Sequence, residues 1–299
     1  MNPFFNYHQC PRFTGIIVRD KRYFMFTQKV SLFFLSIIVA LYSGLSLAAF
    51  DETTYKSVYK EALAGDVSKQ VELAQSYLFG LFTEVDYTKA VAWYRKAAEQ
   101  KHSSSQYSLG MLYEAGMGVK ASTTEAFKWY LQAANQGHAE SQYLVGTFYM
   151  QGKATKSNYS EGIRWYQRAA EQNHVKALIA LGCHYAPRFG HSNNPVKALE
   201  NFRRALSADP KNGDAAFGIG TVYWYADKPI RHRTKALNYF VKASESGLPI
   251  AYYMVGHAYD IGEGVRKNQK LAKEWYGKAC DKGFDDGCTE YAKLSTVRN

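Results

Sequence analysis

Ser105-Gln-Tyr-Ser-Leu-Gly110-Met-Leu-Tyr113, followed by Gly116-Met-Gly118-Val119 and then by Ala126-Phe-Lys-Trp129-Tyr130-Leu-Gln-Ala133-Ala134 and Gly137, is one unit of a repeat. Its glycine returns at Gly146, Gly182, Gly220 and Gly256, and its tyrosine stands at Tyr77, Tyr113, Tyr149, Tyr185, Tyr223 and Tyr259. The steps are 36 residues, with one of 38. A period of this size signals one supersecondary unit stacked on copies of itself, because a single unit cannot bury its apolar face alone. Each unit holds two runs of apolar residues at helical spacing joined by a turn, and so reads as a helical hairpin. Small residues at Gly110 and Ala133 let the two helices approach, while Tyr113, Trp129 and Tyr130 fill the space between hairpins. The 299 residues are therefore expected to form one all-α array rather than two ordinary domains.

Outward from that unit toward the N-terminus, residues 1–49 read as a lead and signal peptide. Val30 to Leu47 carries no charge, is dominated by Leu, Ile, Val and Phe, and ends in Ser46-Leu47-Ala48-Ala49, small residues suited to a signal peptidase. Export follows as an expectation. The 29 residues before this stretch are long for a basic n-region, whereas a start at Met25 leaves one of ordinary size. The other reading is an uncleaved anchor formed by residues 30–47, since roughly 18 apolar residues can just span a bilayer. The chain carries a net charge of +11 and stays basic without the lead.

Residues 50–68 read as a capping helix, with Tyr55, Val58, Tyr59 and Ala62 on one face and Gly65-Asp66 ending it. Repeats run from 69 to 286, and 287–299 forms a C-terminal capping helix and tail. The glycine pairs at Gly116/Gly118 and Gly262/Gly264 resemble phosphate loops only superficially. A nucleotide fingerprint follows a strand and opens onto a helix, whereas these glycines link two helices and supply the positive φ that reverses the chain. The fourth unit departs from the pattern, with Pro187 and Phe189-Gly190-His191 in place of the pair and Asn201-Phe202 where Trp-Tyr would stand. The 38-residue step arises in its second turn, between Ala205 and Ala215.

The order Leu-Gly-x-x-Tyr-x-x-Gly-x-Gly-Val, then Ala-x-x-Trp-Tyr-x-x-Ala-Ala-x-x-Gly, resembles the Sel1-like repeat family, relatives of tetratricopeptide repeats. The resemblance covers about 240 residues. It implies a right-handed α/α superhelix of about six hairpin repeats with half-repeat caps, and scaffolding or adaptor roles, some of them periplasmic. Cys280 and Cys288 correspond to Ala134 and Gln142 of the inner units, facing positions across a turn, and in an oxidising compartment that spacing suits a disulfide. Cysteine-rich members of the family carry bridges at similar spacing.

His102, His138 and His174 recur every 36 residues. Successive hairpins stand roughly 10 Å apart at helix-packing distances, too far to share an ion bound at about 2 Å, so no metal site is expected. There is no Cys-x-x-Cys pair, nucleophile motif or carboxylate cluster with ligand spacing, and neither a cofactor nor catalytic residues are expected. The Lys228 to Lys235 connection holds four basic residues and His232, and reads as a solvated loop unless it meets an acidic partner, lipid headgroup or glycan. Nucleic acid is not expected as a partner, since no recognition motif is present.

In related solenoids the first helix of each hairpin lines the concave face. Carried over by register, that row is Tyr107, Met111 and Glu114, then Tyr143, Thr147 and Met150, then Ile179 and Cys183, then Phe217, Thr221 and Trp224, and finally Tyr253, His257 and Asp260. Tyr, Trp and Met are concentrated on protein-binding surfaces, so a peptide or partner helix held in this groove is the expected mechanism, in a monomeric, non-enzymatic, periplasmic or secreted adaptor. Packing of half the row against neighbouring helices is the competing reading. Two other functions stay open on the resemblance: a cell-envelope enzyme or antibiotic-binding protein like some cysteine-rich relatives, and a secreted factor acting on a host cell.

Overall fold

A computed structural model describes residues 52–81, 83–187 and 190–296. The uncharged stretch, the Met25 start and the processing site lie outside the described residues. These contain fourteen α-helices and no strand: α1 Glu52–Leu63, α2 Val67–Phe79, α3 Tyr87–Glu99, α4 Ser103–Ala115, α5 Thr123–Asn135, α6 Ala139–Gln151, α7 Tyr159–Glu171, α8 Val175–Tyr185, α9 Pro195–Ala208, α10 Gly213–Tyr225, α11 Arg233–Ser244, α12 Pro249–Ile261, α13 Gln269–Asp281 and α14 Asp285–Thr296. They divide into two compact units, one ending at Arg168 and one beginning at Ala169. From α1 to α6 and from α8 to α14 each helix packs on the next in sequence, and α7 meets α6 where Tyr166 packs on Gly146 and Tyr143, the arrangement of stacked hairpins.

Turn chemistry sets the helix ends. Asp66, Asp86, Ser122, Asn194, Asn212 and Asn268 each stand just before a helix and accept from the backbone N–H three residues on. The histidine row serves the same purpose: Nδ1 of His102, His138 and His174 accepts from the amides of Ser105, Ser141 and Ala177 at 3.3 Å. At the other end of the first helices, Gly80, Gly116, Gly152 and Gly262 adopt left-handed φ near 70° and return the chain. The second glycine of the pair has a different duty. A Cβ on Gly118 would lie 2.2 Å from the Tyr87 carbonyl oxygen, and one on Gly264 2.6 Å from the Arg233 carbonyl carbon. Each glycine pair thus presses its turn onto the start of the preceding hairpin's second helix.

Within a hairpin the repeating glycine is a slot for a ring. A Cβ at Gly110, Gly146, Gly220 or Gly256 would come within 2.6 to 2.8 Å of Tyr130, Tyr166, Phe240 or Tyr276 respectively. Those four rings are almost wholly buried. Around them, Leu109, Leu112, Val145, Phe148, Ile219 and Val255 complete the core.

Between hairpins, one register position carries the joint. Gln70, Gln106 and Gln142 each donate a side-chain N–H to a last-turn carbonyl of the preceding hairpin, at Ala62, Ala98 and Ala134, over 3.0 to 3.2 Å. Each of these carbonyls also accepts from a backbone amide of its own turn, and the glutamine bond uses its second lone pair while satisfying a buried side-chain donor. Gln100 and Gln136 extend the network by donating to Gln70 and Gln106. In the second unit Leu178 stands at this position and cannot donate; Arg204 Nη2 reaches the equivalent Ala170 carbonyl instead, at 2.6 Å. At the last joint the two facing positions are Cys280 and Cys288, joined as a disulfide with Cα atoms 4.5 Å apart, as the spacing led us to expect.

Candidate functional site

The candidate wall divides sharply. In the first unit Tyr107, Met111 and Glu114 on α4, with Tyr143, Thr147 and Met150 on α6, are all half-buried. Tyr107 sits tilted between two neighbours, its ring centroid 5.9 Å from that of Tyr130 and 4.9 Å from that of His138. Tyr143 stacks on Tyr166 at 5.5 Å, and Met150 covers Gly162 on the second helix of its hairpin. Burial, with Glu140 and Glu114 nearby, holds the Tyr107 phenol well above its ordinary pKa, and burial raises that of Tyr143 against an opposing hydrogen bond from Thr147. Both therefore remain neutral hydrogen-bonding groups across the physiological range. The Glu114 carboxylate accepts from Tyr130 Oη at 3.0 Å, which fixes its position on the wall. Neither α4 nor α6 contains a lysine or arginine.

In the second unit the corresponding residues are mostly core. Phe217, Thr221, Trp224 and Tyr253 are buried, as are Ile179 and Cys183, while His257 and Asp260 are half-buried. Phe217 packs on Phe240 at 5.4 Å, and Trp224 packs on the same ring at 5.8 Å. Tyr253 is enclosed by Tyr276 at 5.4 Å and Phe284 at 5.3 Å. The expectation of a water-facing aromatic row across both units is corrected here, because Arg233 folds over the Trp224 ring at 4.3 Å and Phe284 closes over Tyr253. Arg233 also donates to the Trp224 carbonyl and pairs with Glu263 at 2.5 Å.

Two polar details distinguish this wall. Thr147 Oγ1 bonds Tyr166 Oη at 3.1 Å, whereas at the corresponding register Thr221 is matched with Phe240, which offers no hydroxyl, and the buried Thr221 hydroxyl has no hydrogen-bond partner. His257 lies parallel to Tyr253 at 6.2 Å; burial lowers its pKa, opposed by Asp260, Glu263 and Glu290. Burial, aided by Glu290 and Asp286, pushes the Tyr253 phenol up to about 12.

Among the described residues no group of three or more His, Cys, Asp or Glu side chains is arranged to hold a metal. No helix there is long and apolar enough to cross a membrane. The glutamine joint was missed in the sequence reading, although Gln70, Gln106 and Gln142 recur at the same 36-residue step as the glycine.

The family model described as Sel1 repeat matches six segments, residues 70–102, 103–138, 139–174, 175–210, 213–248 and 249–284. Among solved structures, c5321, a protective antigen of uropathogenic Escherichia coli strains displaying an SLR fold, is 28% identical with a TM-score of 0.70, over 83% of this chain and 53% of that one. A Sel1 repeat protein from Oxalobacter formigenes is 26% identical with a TM-score of 0.66, over 78% of this chain and 91% of that one. These likenesses and the helix order make the fold an all-α repeat superhelix. The chitin synthase regulator SKT5 of Saccharomyces cerevisiae is 31% identical over 71 residues, 22% of this chain and 10% of that protein. The chain thus spans about half of c5321 and a tenth of SKT5.

Proposed function

Because the chain belongs to the Sel1 repeat family, we propose that it is a non-enzymatic scaffold that holds a protein or peptide partner against the first helices of its first unit. The observation that carries this is the half-buried set on α4 and α6, where Tyr107, Met111, Tyr143 and Met150 stay partly open to solvent beside fixed Glu114. These are side chains with large contact area, and the aromatic ones have few rotamers to freeze, which suits them to hold another chain. The face lacks the paired acid, base and nucleophile that catalysis requires. Export to an oxidising compartment belongs to the same proposal, supported by the Cys280–Cys288 bond and by the uncharged stretch that precedes the repeats. A role outside the cell is the second reading, favoured by the likeness to c5321, a protective antigen.

Position-specific crosslinking tests the surface. A photoreactive residue at Met111 should trap a discrete partner in envelope extract, while one at Lys128, exposed on the second helix of the same hairpin, should not. Equal trapping at the two positions would move the site off this face.

A further inference from the structure

The excess positive charge of the second unit is concentrated on one edge. Residues 169–299 hold nineteen Lys and Arg against thirteen Asp and Glu. Twenty of those residues, 226–235 and 261–270, hold seven bases and two acids, so the remainder is balanced to within one charge. These two segments are the turns between α10 and α11 and between α12 and α13, each with the start of the helix that follows. They lie side by side: Thr234 Oγ1 donates to the Gly264 carbonyl at 3.1 Å, and Gly264 packs on the Arg233 backbone. Glu263 is taken by Arg233, so the exposed Asp227 carboxylate is the one acid of the two segments left to offset six bases.

The other six bases, Lys228, Arg231, Lys235, Arg266, Lys267 and Lys270, are exposed. None of them forms an ion pair among the described residues, and Lys235 rests over the Tyr223 ring at 5.8 Å. In their midst Ile261, the last residue of α12, is 44% exposed. Surfaces that merely solubilise a protein intersperse both signs, whereas this edge is strongly dominated by one sign, with an apolar side chain among the bases.

We propose that this edge docks on an anionic membrane surface, with the six bases against lipid headgroups and Ile261 at the acyl boundary. The distribution of the exposed bases, together with exposed Ile261, favours a lipid surface over an acidic peptide. The exposed bases are spread over two adjacent turns, and a broad plane of headgroups suits such a spread better than one extended peptide does. Bases near an anionic leaflet attract it additively, and an exposed branched side chain adds apolar contact at the boundary. Arg233, tied to Trp224 and Glu263, holds the two turns in register and takes no direct part.

The test is vesicle flotation of the full chain at low salt, with phosphatidylglycerol-containing and purely phosphatidylcholine vesicles compared so that any contribution of the uncharged stretch cancels. Wild type should favour the anionic vesicles. Arg231→Glu/Arg266→Glu/Lys267→Glu should reduce that preference by about a hundredfold or more, from the attraction expected per base. Lys211→Glu/Lys242→Glu/Lys282→Glu changes the net charge equally at exposed positions elsewhere in the unit and should retain most of the preference. Equal loss in both triple variants would show a net-charge effect and overturn the assignment. So would the absence of any preference for anionic vesicles, and tight binding of polyglutamate in that case would make the partner an acidic chain.

Discussion

Removing the Cys280–Cys288 bond should release α14 while leaving the inner hairpins folded. The bridge closes a loop with a sequence separation of 8. A loop of that length loses about 2.5 kcal/mol of chain entropy in the unfolded ensemble when crosslinked. Gly287 is the one fully buried residue of α14, so little apolar burial opposes detachment once the bond is gone. The equilibrium for local opening should then rise about 70-fold in Cys280→Ala/Cys288→Ala. A second variant, Cys280→Ala/Cys288→Gln, recreates the pairing of Ala134 with Gln142 and should recover about 1 kcal/mol, the typical net worth of one hydrogen bond. The assay is amide hydrogen exchange read by mass spectrometry on peptides from 285–296 and, as reference, from 139–151. Protection of 285–296 should fall in the first variant and return partway in the second, with 139–151 unchanged. Unchanged protection of 285–296 would refute the reasoning that the bond is the main tether, and no difference between the variants would refute the equivalence of the two kinds of joint.

Phe240→Tyr should place a phenol against Thr221 as Tyr166 meets Thr147, raising stability by about 1 kcal/mol in urea denaturation; Thr221→Val, which removes the orphan hydroxyl, should be neutral or stabilising, and a loss in both would show that the hydroxyl is satisfied. His257 has a folded pKa below its unfolded value through burial, so its contribution to stability is complete above about pH 6.5 and is lost as pH falls from there toward the folded pKa. The drop in urea midpoint between pH 7.5 and pH 5.5 should therefore be smaller in His257→Gln than in wild type, and an equal drop would place the linkage on other groups.

The hairpins were legible in sequence because glycine, tyrosine and the alanine pair each recur at a fixed step, and period alone reports which residues face the core. Exposure of the inner wall was not legible for a different reason. Tyr143 and Phe217 occupy one register position, yet one is half-buried and the other buried. Neighbouring side chains from other helices decide the difference, as Arg233 does for Trp224, and such neighbours carry no periodic mark. The histidine row shows the converse. Its period was plain and metal binding was set aside on distance, but the capping role depends on Nδ1 facing a backbone amide, which spacing alone does not report.

The joints also give the array a grammar. Every glutamine joint splits its donor and acceptor between consecutive hairpins, so the segment from 103 to 138 ends by offering the Ala134 carbonyl just as its predecessor offered that of Ala98. A duplicate of that segment inserted after residue 138 would find both of its neighbours already compatible, and the first unit can lengthen by copying. The cysteine joint reads differently, since Cys288 accepts only a predecessor that ends in cysteine. Growth by unequal exchange is thus open among the glutamine joints and closed at the far end, where the disulfide acts as a full stop.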